Sequence, residues 1–125
     1  LDYAHGTGHG VGFFLNVHEG PQSISKYNLV KIEKGMILSN EPGYYKKNSF
    51  GIRIENLVYV KKLKRRLYFE NLTLAPLETD LINYNLLSKI EKDYLFKYHL
   101  SIYSEYSGSL NKSEKKWLAN LIQHF

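Results

Sequence analysis

Glycine occupies every second position from residue 6 to residue 12 in the string HGTGHGVG. Glycine is costly inside a helix, and alternate residues of an extended chain point to opposite sides. The pattern therefore predicts an extended segment with His5, Thr7, His9 and Val11 on one side and bare glycine on the other. The glycine side allows another backbone or a ligand to approach closely, while two imidazoles share the space opposite.

His18 follows the apolar run Val11–Val17, which we interpret as a buried strand that ends at Glu19-Gly20-Pro21. A lone histidine is more often a hydrogen-bonded core residue than a ligand. Here three of the five histidines fall within fourteen positions and are interleaved with glycine. This clustering favours a functional site over three unrelated core histidines.

Two strand-like runs, Met36–Tyr45 and Gly51–Val60, are separated by a short polar stretch that predicts a turn. A hairpin folded at this stretch sets Glu41 roughly opposite Glu55. Two carboxylates that face each other across a sheet repel one another, so a hairpin of this register needs a compensating cation.

The residues leave three sources of that positive charge open: a divalent metal, a shared proton, or a nearby arginine. Arg53 lies two residues before Glu55 and can supply part of the charge. The alternative is that both glutamates are ordinary exposed side chains on a wet sheet face. Pro42-Gly43 predicts a turn or bulge that bends the strand beside Glu41.

Composition narrows the chemistry of any metal site. The chain has 125 residues, is 43% hydrophobic and contains no cysteine, so it fits one small folded domain without disulfides or thiolate ligands. A metal must then be bound by histidine and carboxylate, which suits Mn, Zn, Co or Fe. No apolar run is long enough to span a bilayer.

The net charge of +5 raises the alternative of a nucleic-acid binder centred on the basic stretch Lys61–Arg66. The lysines are scattered rather than confined to one stripe, so we favour a solvated turn between the strand that ends at Val60 and another at Leu67–Leu72. We therefore expect no nucleic-acid partner.

After Pro76 the hydrophobic period becomes helical. Ser88 with Glu91, and Asn111 with Glu114, match the capping-box pattern that begins a helix. The predicted helices are Asp80–Leu87, one from Ser88 to about Tyr106 that Gly108 stops, and Lys112–Phe125.

Two apolar stripes lie at helical spacing in this region. They either face the core or pack on a partner subunit, and aromatic residues serve both roles. The residues of the stripes are Ile90, Tyr94, Tyr98, Trp117, Leu118, Leu121 and Ile122.

The strings HGTGHGVG, LNVHEGP, SNEPGYY and FGIRIENLVYV resemble the second half of the catalytic domain of aminopeptidase P (Xaa-Pro aminopeptidase), one of the pita-bread metallopeptidases. The resemblance is strong from Tyr3 to Val60. It is looser up to Phe125, where the chain looks like the C-terminal extension of the eukaryotic cytosolic-type enzymes.

The resemblance implies an α+β fold, namely the C-terminal half of a pita-bread domain, with an antiparallel sheet followed by C-terminal helices. It places the catalytic part at residues 1–76 and the helical extension at residues 77–125. It also implies a cytoplasmic location and, through the aromatic tail, a homodimer.

The resemblance also assigns roles to individual residues. The implied metal ligands are His9, Glu41 and Glu55, of which Glu41 is also the general base and Glu55 bridges two ions. The implied substrate-binding and catalytic histidines are His5 and His18, and Arg53 supports the ligands without touching the metal.

Members of the family use two Mn or Zn ions and release an N-terminal residue that precedes proline. They need two further aspartate ligands on an upstream hairpin, which this sequence lacks, because Asp2 lies outside any such hairpin. Together with the opening at Leu1, this predicts the C-terminal piece of an enzyme that is inactive without its N-terminal part. The alternative is a non-catalytic pita-bread module that serves in binding, and no membrane partner is expected in either case.

Overall fold

The computed structural model describes residues 2–122, and the chain divides into two compact units, residues 1–73 and 74–125. The first unit is built of antiparallel strands and the second mainly of helices, which confirms the predicted α+β class. No helix within residues 2–122 combines the length and the apolar character that crossing a membrane requires.

The first unit contains a five-stranded antiparallel sheet of order β2-β1-β3-β6-β7 and a separate two-stranded ribbon, β4-β5. The strands are β1 Gly8–Val11, β2 Ser23–Ile24, β3 Ile37–Asn40, β4 Gly43–Lys46, β5 Phe50–Arg53, β6 Asn56–Leu63 and β7 Arg66–Asn71.

The predicted hairpin register is confirmed. β3 pairs with β6 as far as Asn40 opposite Asn56, and β4 pairs with β5 from Gly43 opposite Arg53. Both ladders share one register, and the gap between them holds residues 41–42 on one side and residues 54–55 on the other. Glu41 and Glu55 therefore lie at opposed positions where the strands are interrupted.

The alternating glycines allow the close backbone approach that the sequence predicts. A Cβ atom on Gly8 would lie 1.8 Å from the carbonyl oxygen of Ser39 on β3. A Cβ atom on Gly10 would lie 2.2 Å from the carbonyl oxygen of Glu19. Larger side chains at either position would push these segments away from β1.

The prediction of a buried strand at Val11–Val17 is wrong, because β1 ends at Val11 and the rest of the run is an exposed loop. Phe13 is 90% exposed, and Leu15 adopts a left-handed backbone with φ of 57°. The Glu19 carboxylate accepts hydrogen bonds from the backbone N–H groups of Phe14 and Asn16. These local bonds fold the run into a loop, which hydrophobicity alone cannot reveal.

The core of the first unit is formed by Leu38, Val58 and Val60, on which Ile24, Ile32 and Met36 pack. The basic stretch is mostly strand rather than turn, since β6 continues to Leu63 and β7 begins at Arg66. The turn is thus two residues long, and the other residues of the stretch lie in paired strands.

The second unit contains α1 (Lys89–Tyr106) and α2 (Lys112–Ile122). The capping box predicted for Ser88 and Glu91 is present, with both of its hydrogen bonds formed. The prediction that the last helix extends to Phe125 lies in part outside the described residues, which end at Ile122.

The short helix predicted at Asp80–Leu87 is wrong. The segment forms two 3₁₀ turns, Thr79–Leu81 and Tyr84–Leu86, separated by extended backbone. The Asn83 side chain accepts a hydrogen bond from the N–H of Asn85, and such local side-chain bonds compete with a continuous helix.

The two predicted apolar stripes are only partly buried. Tyr98 and Leu118 join Ile102 in the core of the second unit, and Ile122 is buried as well. By contrast, Ile90 is 81% exposed and Tyr94 and Trp117 are also exposed, so a core role for these three is wrong.

Candidate metal centre

Three potential metal ligands converge where the two hairpin ladders are interrupted. One ligand atom from each of His9, Glu41 and Glu55 lies within 4.8 Å of the other two. His9 comes from β1, while the glutamates come from the gaps after β3 and before β6. His9 and Glu41 are partly buried and Glu55 is more exposed, so the group is open on one side.

The hydrogen bonding of His9 leaves one ring nitrogen available to a cation. Nδ1 lies 3.0 Å from the carbonyl oxygen of Gly10. A carbonyl oxygen can only accept, so Nδ1 carries the proton of the neutral ring and Nε2 presents a lone pair. That Nε2 lies 3.4 Å from Glu41 Oε1. Two acceptor atoms facing each other require a cation between them, either a proton or a metal ion.

The backbone of His9 and the carboxylate of Glu41 are joined by one side chain. Ser39 Oγ accepts a hydrogen bond from the His9 N–H at 2.9 Å and donates to Glu41 Oε1 at 2.9 Å. Ser39 is fully buried, so water does not compete for this hydroxyl.

Arg53 supplies the positive charge that the hairpin register requires. Its Nε lies 3.7 Å from Glu41 Oε2 and 3.3 Å from Glu55 Oε2. The pKa of Arg53 is raised above its ordinary value, first by a hydrogen bond to Tyr45 and further by the two carboxylates. Arg53 therefore stays cationic and offsets part of the repulsion between the glutamates.

His5 reaches the group through Tyr45. His5 Nδ1 donates to the carbonyl oxygen of Gly6 at 2.7 Å, so its Nε2 accepts from the Tyr45 hydroxyl at 2.7 Å. Tyr45 is also the residue that most raises the pKa of Arg53. Tyr45 therefore lies between His5 and Arg53, and His5 borders a cavity of about 480 Å³.

His18 is exposed and lies against His9, with the two ring centroids 4.2 Å apart. It sits at the end of the exposed loop that the Glu19 carboxylate holds. Asp2 instead bonds the N–H of Tyr3 and does not join the three ligands within residues 2–122. The structure therefore gathers all of the sequence-predicted site residues, with His5 linked indirectly.

The donor set fits a divalent metal. One imidazole with a free lone pair and two carboxylates are ligands typical of Zn, Mn and related ions. His9 also gives its other ring N–H to a backbone carbonyl, as metal-binding histidines usually do. Two carboxylates can bridge a pair of ions, and three residues alone are too few to complete two coordination spheres.

Sequence reasoning missed Ser39 and Tyr45 as members of this site. Both lie an even number of positions from Glu41, so the strand alternation already placed them on its side of the sheet. A search for hydroxyl groups on that side would have found them.

Two family models together match almost the whole chain. The first is described as metallopeptidase family M24 and matches residues 1–62, and the second is the C-terminal region of the same peptidase family and matches residues 65–125.

Among curated proteins, aminopeptidase P2 of Arabidopsis thaliana is 49% identical over 96% of this chain and 18% of its own length. Xaa-Pro aminopeptidase 1 of Dictyostelium discoideum is 44% identical over 98% of this chain and 22% of its own length. The chain thus spans about a fifth of the length of these relatives.

A solved structure has the same fold. It is an X-prolyl aminopeptidase from Caenorhabditis elegans, described as a cytosolic enzyme with a di-nuclear active site. It matches with a TM-score of 0.84 and 36% identity, over 98% of this chain and 22% of that one. The antiparallel sheet and following helices are therefore pita-bread-like, as the sequence predicts.

Proposed function

This chain belongs to metallopeptidase family M24, and on that premise we propose that it is the C-terminal part of an Xaa-Pro aminopeptidase, which releases an N-terminal residue that precedes proline. The observation that carries the proposal is the convergence of His9, Glu41 and Glu55 in a chain whose relatives bear that enzyme name. Residues 1–76 are assigned to the catalytic domain and residues 77–125 to a helical extension.

His9 through Nε2, Glu41 and Glu55 would hold two divalent ions, Mn or Zn, with two aspartates from the upstream part of the full-length enzyme. When bound, the ions would supply an activated water and polarise the scissile carbonyl. This assignment is supported by the lone pair of His9 Nε2 facing Glu41.

Glu41 is proposed as the general base. Its Oε1 takes the hydrogen bond of Ser39, and its Oε2 faces Arg53. The carboxylate thus keeps a fixed orientation while it accepts a proton from the attacking water. Arg53 remains protonated, and its positive charge weakens the repulsion between Glu41 and Glu55.

His5 and His18 are proposed to bind the peptide and to stabilise the developing negative charge on its carbonyl oxygen. His18 is exposed beside the ligand His9, where its ring can reach a bound peptide. His5 is oriented by Tyr45 at the border of the cavity, so its ring is held in place without contact to the ligands.

The complete enzyme is proposed to be cytoplasmic and homodimeric. Within one subunit, this chain would associate with the N-terminal part of the same enzyme. The exposed Ile90, Tyr94 and Trp117 are apolar enough to take part in such contacts. A monomer by light scattering of the full-length enzyme would refute the dimer.

The test is an assay of the full-length protein with an Xaa-Pro peptide, and with the matched Xaa-Ala peptide as control. We expect release of the first residue only from the proline peptide, supported by Mn and abolished by a chelator. Glu41→Ala should abolish release, whereas Glu105→Ala, at an exposed helix position outside the site, should not change it. No release by the folded, Mn-supplied protein would indicate a non-catalytic binding module.

A further inference from the structure

Ser39 forms a directional link between two of the candidate ligands. A hydroxyl group has one proton, which Ser39 gives to Glu41 Oε1, so its oxygen is left to accept from the His9 N–H. The order is therefore fixed from the His9 backbone to Ser39 to the Glu41 carboxylate. With Ser39 fully buried, both bonds form in a site where water does not replace them.

The Ser39 link lies at the position where the pairing between β1 and β3 would continue. β1 pairs with β3 from Gly10 opposite Leu38, and continuing that register sets His9 opposite Ser39. At this position the His9 N–H bonds the side chain of Ser39. Gly8 permits the arrangement, because any side chain there would collide with the Ser39 backbone.

We propose that Ser39 is a positioning residue of the metal centre, which holds the Glu41 carboxylate in register with His9 before a metal ion binds. The proposal rests on the proposed function. With Ser39 on Oε1 and Arg53 beside Oε2, the carboxylate is restrained at both oxygens. One lone pair of Oε1 remains directed at the space that His9 Nε2 also faces.

Ser39 therefore preorganises the Glu41 carboxylate for metal binding. A free glutamate side chain loses rotamer freedom when it is fixed by a metal, whereas here Ser39 has already fixed it. Removal of a group that orients a ligand typically weakens metal affinity or activity by 10- to 100-fold. The loss should appear as metal affinity, because the Ser39 hydroxyl is engaged by the His9 N–H and by the ligand Glu41.

The experiment measures Mn affinity by titration calorimetry in the full-length protein and its Ser39→Ala variant. We expect Mn binding to weaken by about 10- to 100-fold, with KM for the Xaa-Pro peptide unchanged at saturating Mn. Ser39→Thr retains the hydroxyl and should restore most of the affinity. Val60→Ala, in the core of the same sheet, lowers stability without touching the link and should bind Mn as the unmodified protein does.

Unchanged Mn affinity in folded Ser39→Ala, or an equal loss in Val60→Ala, would overturn the proposal. An unmodified protein that binds no Mn would overturn the proposed function as well, which separates the two failures. If Ser39→Ala does not fold, hydrogen exchange of the His9 amide in the unmodified protein decides. Slow exchange supports the link, and exchange as fast as in the exposed loop overturns it.

Discussion

His9 in the first unit and His99 in the second have the same kind of hydrogen-bond partner at Nδ1 but different partners at Nε2. Each ring uses Nδ1 to donate to a backbone carbonyl, that of Gly10 or of Leu95. Nε2 of His99 then accepts the N–H of Leu77 at 3.1 Å, and the side chain is buried with 1% exposure. Nε2 of His9 meets a carboxylate oxygen instead, at 3.4 Å.

The difference shows how a structural histidine is told apart from a ligand. The tautomer does not distinguish them, since both rings carry the proton on Nδ1, although His99 is the more deeply buried of the two. What distinguishes them is the partner of the second nitrogen. A donor N–H completes the hydrogen bonding of His99, while an acceptor opposite His9 leaves a place that only a cation can fill.

The largest effect should follow from removing His9. His9→Ala takes away the only imidazole of the three-residue group, so Mn affinity of the full-length protein should fall by about a thousandfold, roughly 4 kcal/mol of binding free energy. Titration calorimetry measures this loss. His99→Gln serves as the control and should bind Mn normally. Equal losses in both variants would show that His9 acts through folding and not as a ligand.

Removing His99 should affect stability instead. His99→Ala leaves the partly buried Leu77 N–H without its acceptor and opens a cavity beside Tyr98, at a cost of about 2–4 kcal/mol in the free energy of unfolding. Native-state hydrogen exchange of the α1 amides measures the change within that unit. His99→Gln keeps a polar side chain and should recover part of the loss. Exchange rates unchanged in His99→Ala would contradict a structural role.

Metal should stabilise the protein only where a ligand is present. At a free Mn concentration 100-fold above the dissociation constant, binding adds about 2.7 kcal/mol to the stability of the folded state. The melting temperature of the unmodified protein and of His99→Gln should therefore rise with Mn. The same addition should leave His9→Ala unchanged. A Mn-dependent rise in the melting temperature of His9→Ala would show that Mn binds at a site that does not include His9.

Features with a local cause were predictable from the sequence. The opposed positions of Glu41 and Glu55 follow from turn placement and strand alternation, and the cap of α1 follows from the spacing of Ser88 and Glu91. Each depends on residues close in the chain. The nearness of His9 to the glutamates depends on pairing between β1 and β3, which residues close in the chain do not determine; the sequence offered it as a plausible metal site, and the family resemblance assigned the ligand roles.

The errors arose where side chains bond the backbone. Val11–Val17 has the hydrophobicity of a buried strand, yet the Glu19 carboxylate binds two N–H groups of the run and keeps it a loop. Asn83 likewise interrupts a helical pattern by bonding a neighbouring N–H. Strand alternation places Ser39 on the same side as Glu41, but its bond to the His9 N–H depends on a distant strand and could not be predicted in this way.

The smallest effect concerns the cap of the helix that carries His99. The Ser88 hydroxyl and N–H both donate to the Glu91 carboxylate, and these bonds lower the pKa of Glu91 below its ordinary value of 4.5. A carboxyl group with a lowered folded-state pKa stabilises the folded state above its unfolded pKa, and the contribution is lost as pH falls through the folded value. The start of α1 should therefore weaken under acid, below about pH 4.5.

Ser88→Ala tests this cap. It removes the hydroxyl bonds and should cost about 1 kcal/mol near neutral pH, measured by hydrogen exchange in the first turn of α1. Glu91→Gln cannot ionise, so its first-turn stability should not change across the acid range in which the unmodified protein weakens. Since the Leu77–His99 bond lies outside the first turn, its protection near neutral pH should survive in both variants. An acid dependence that persists in Glu91→Gln would mean that another group controls the start of the helix.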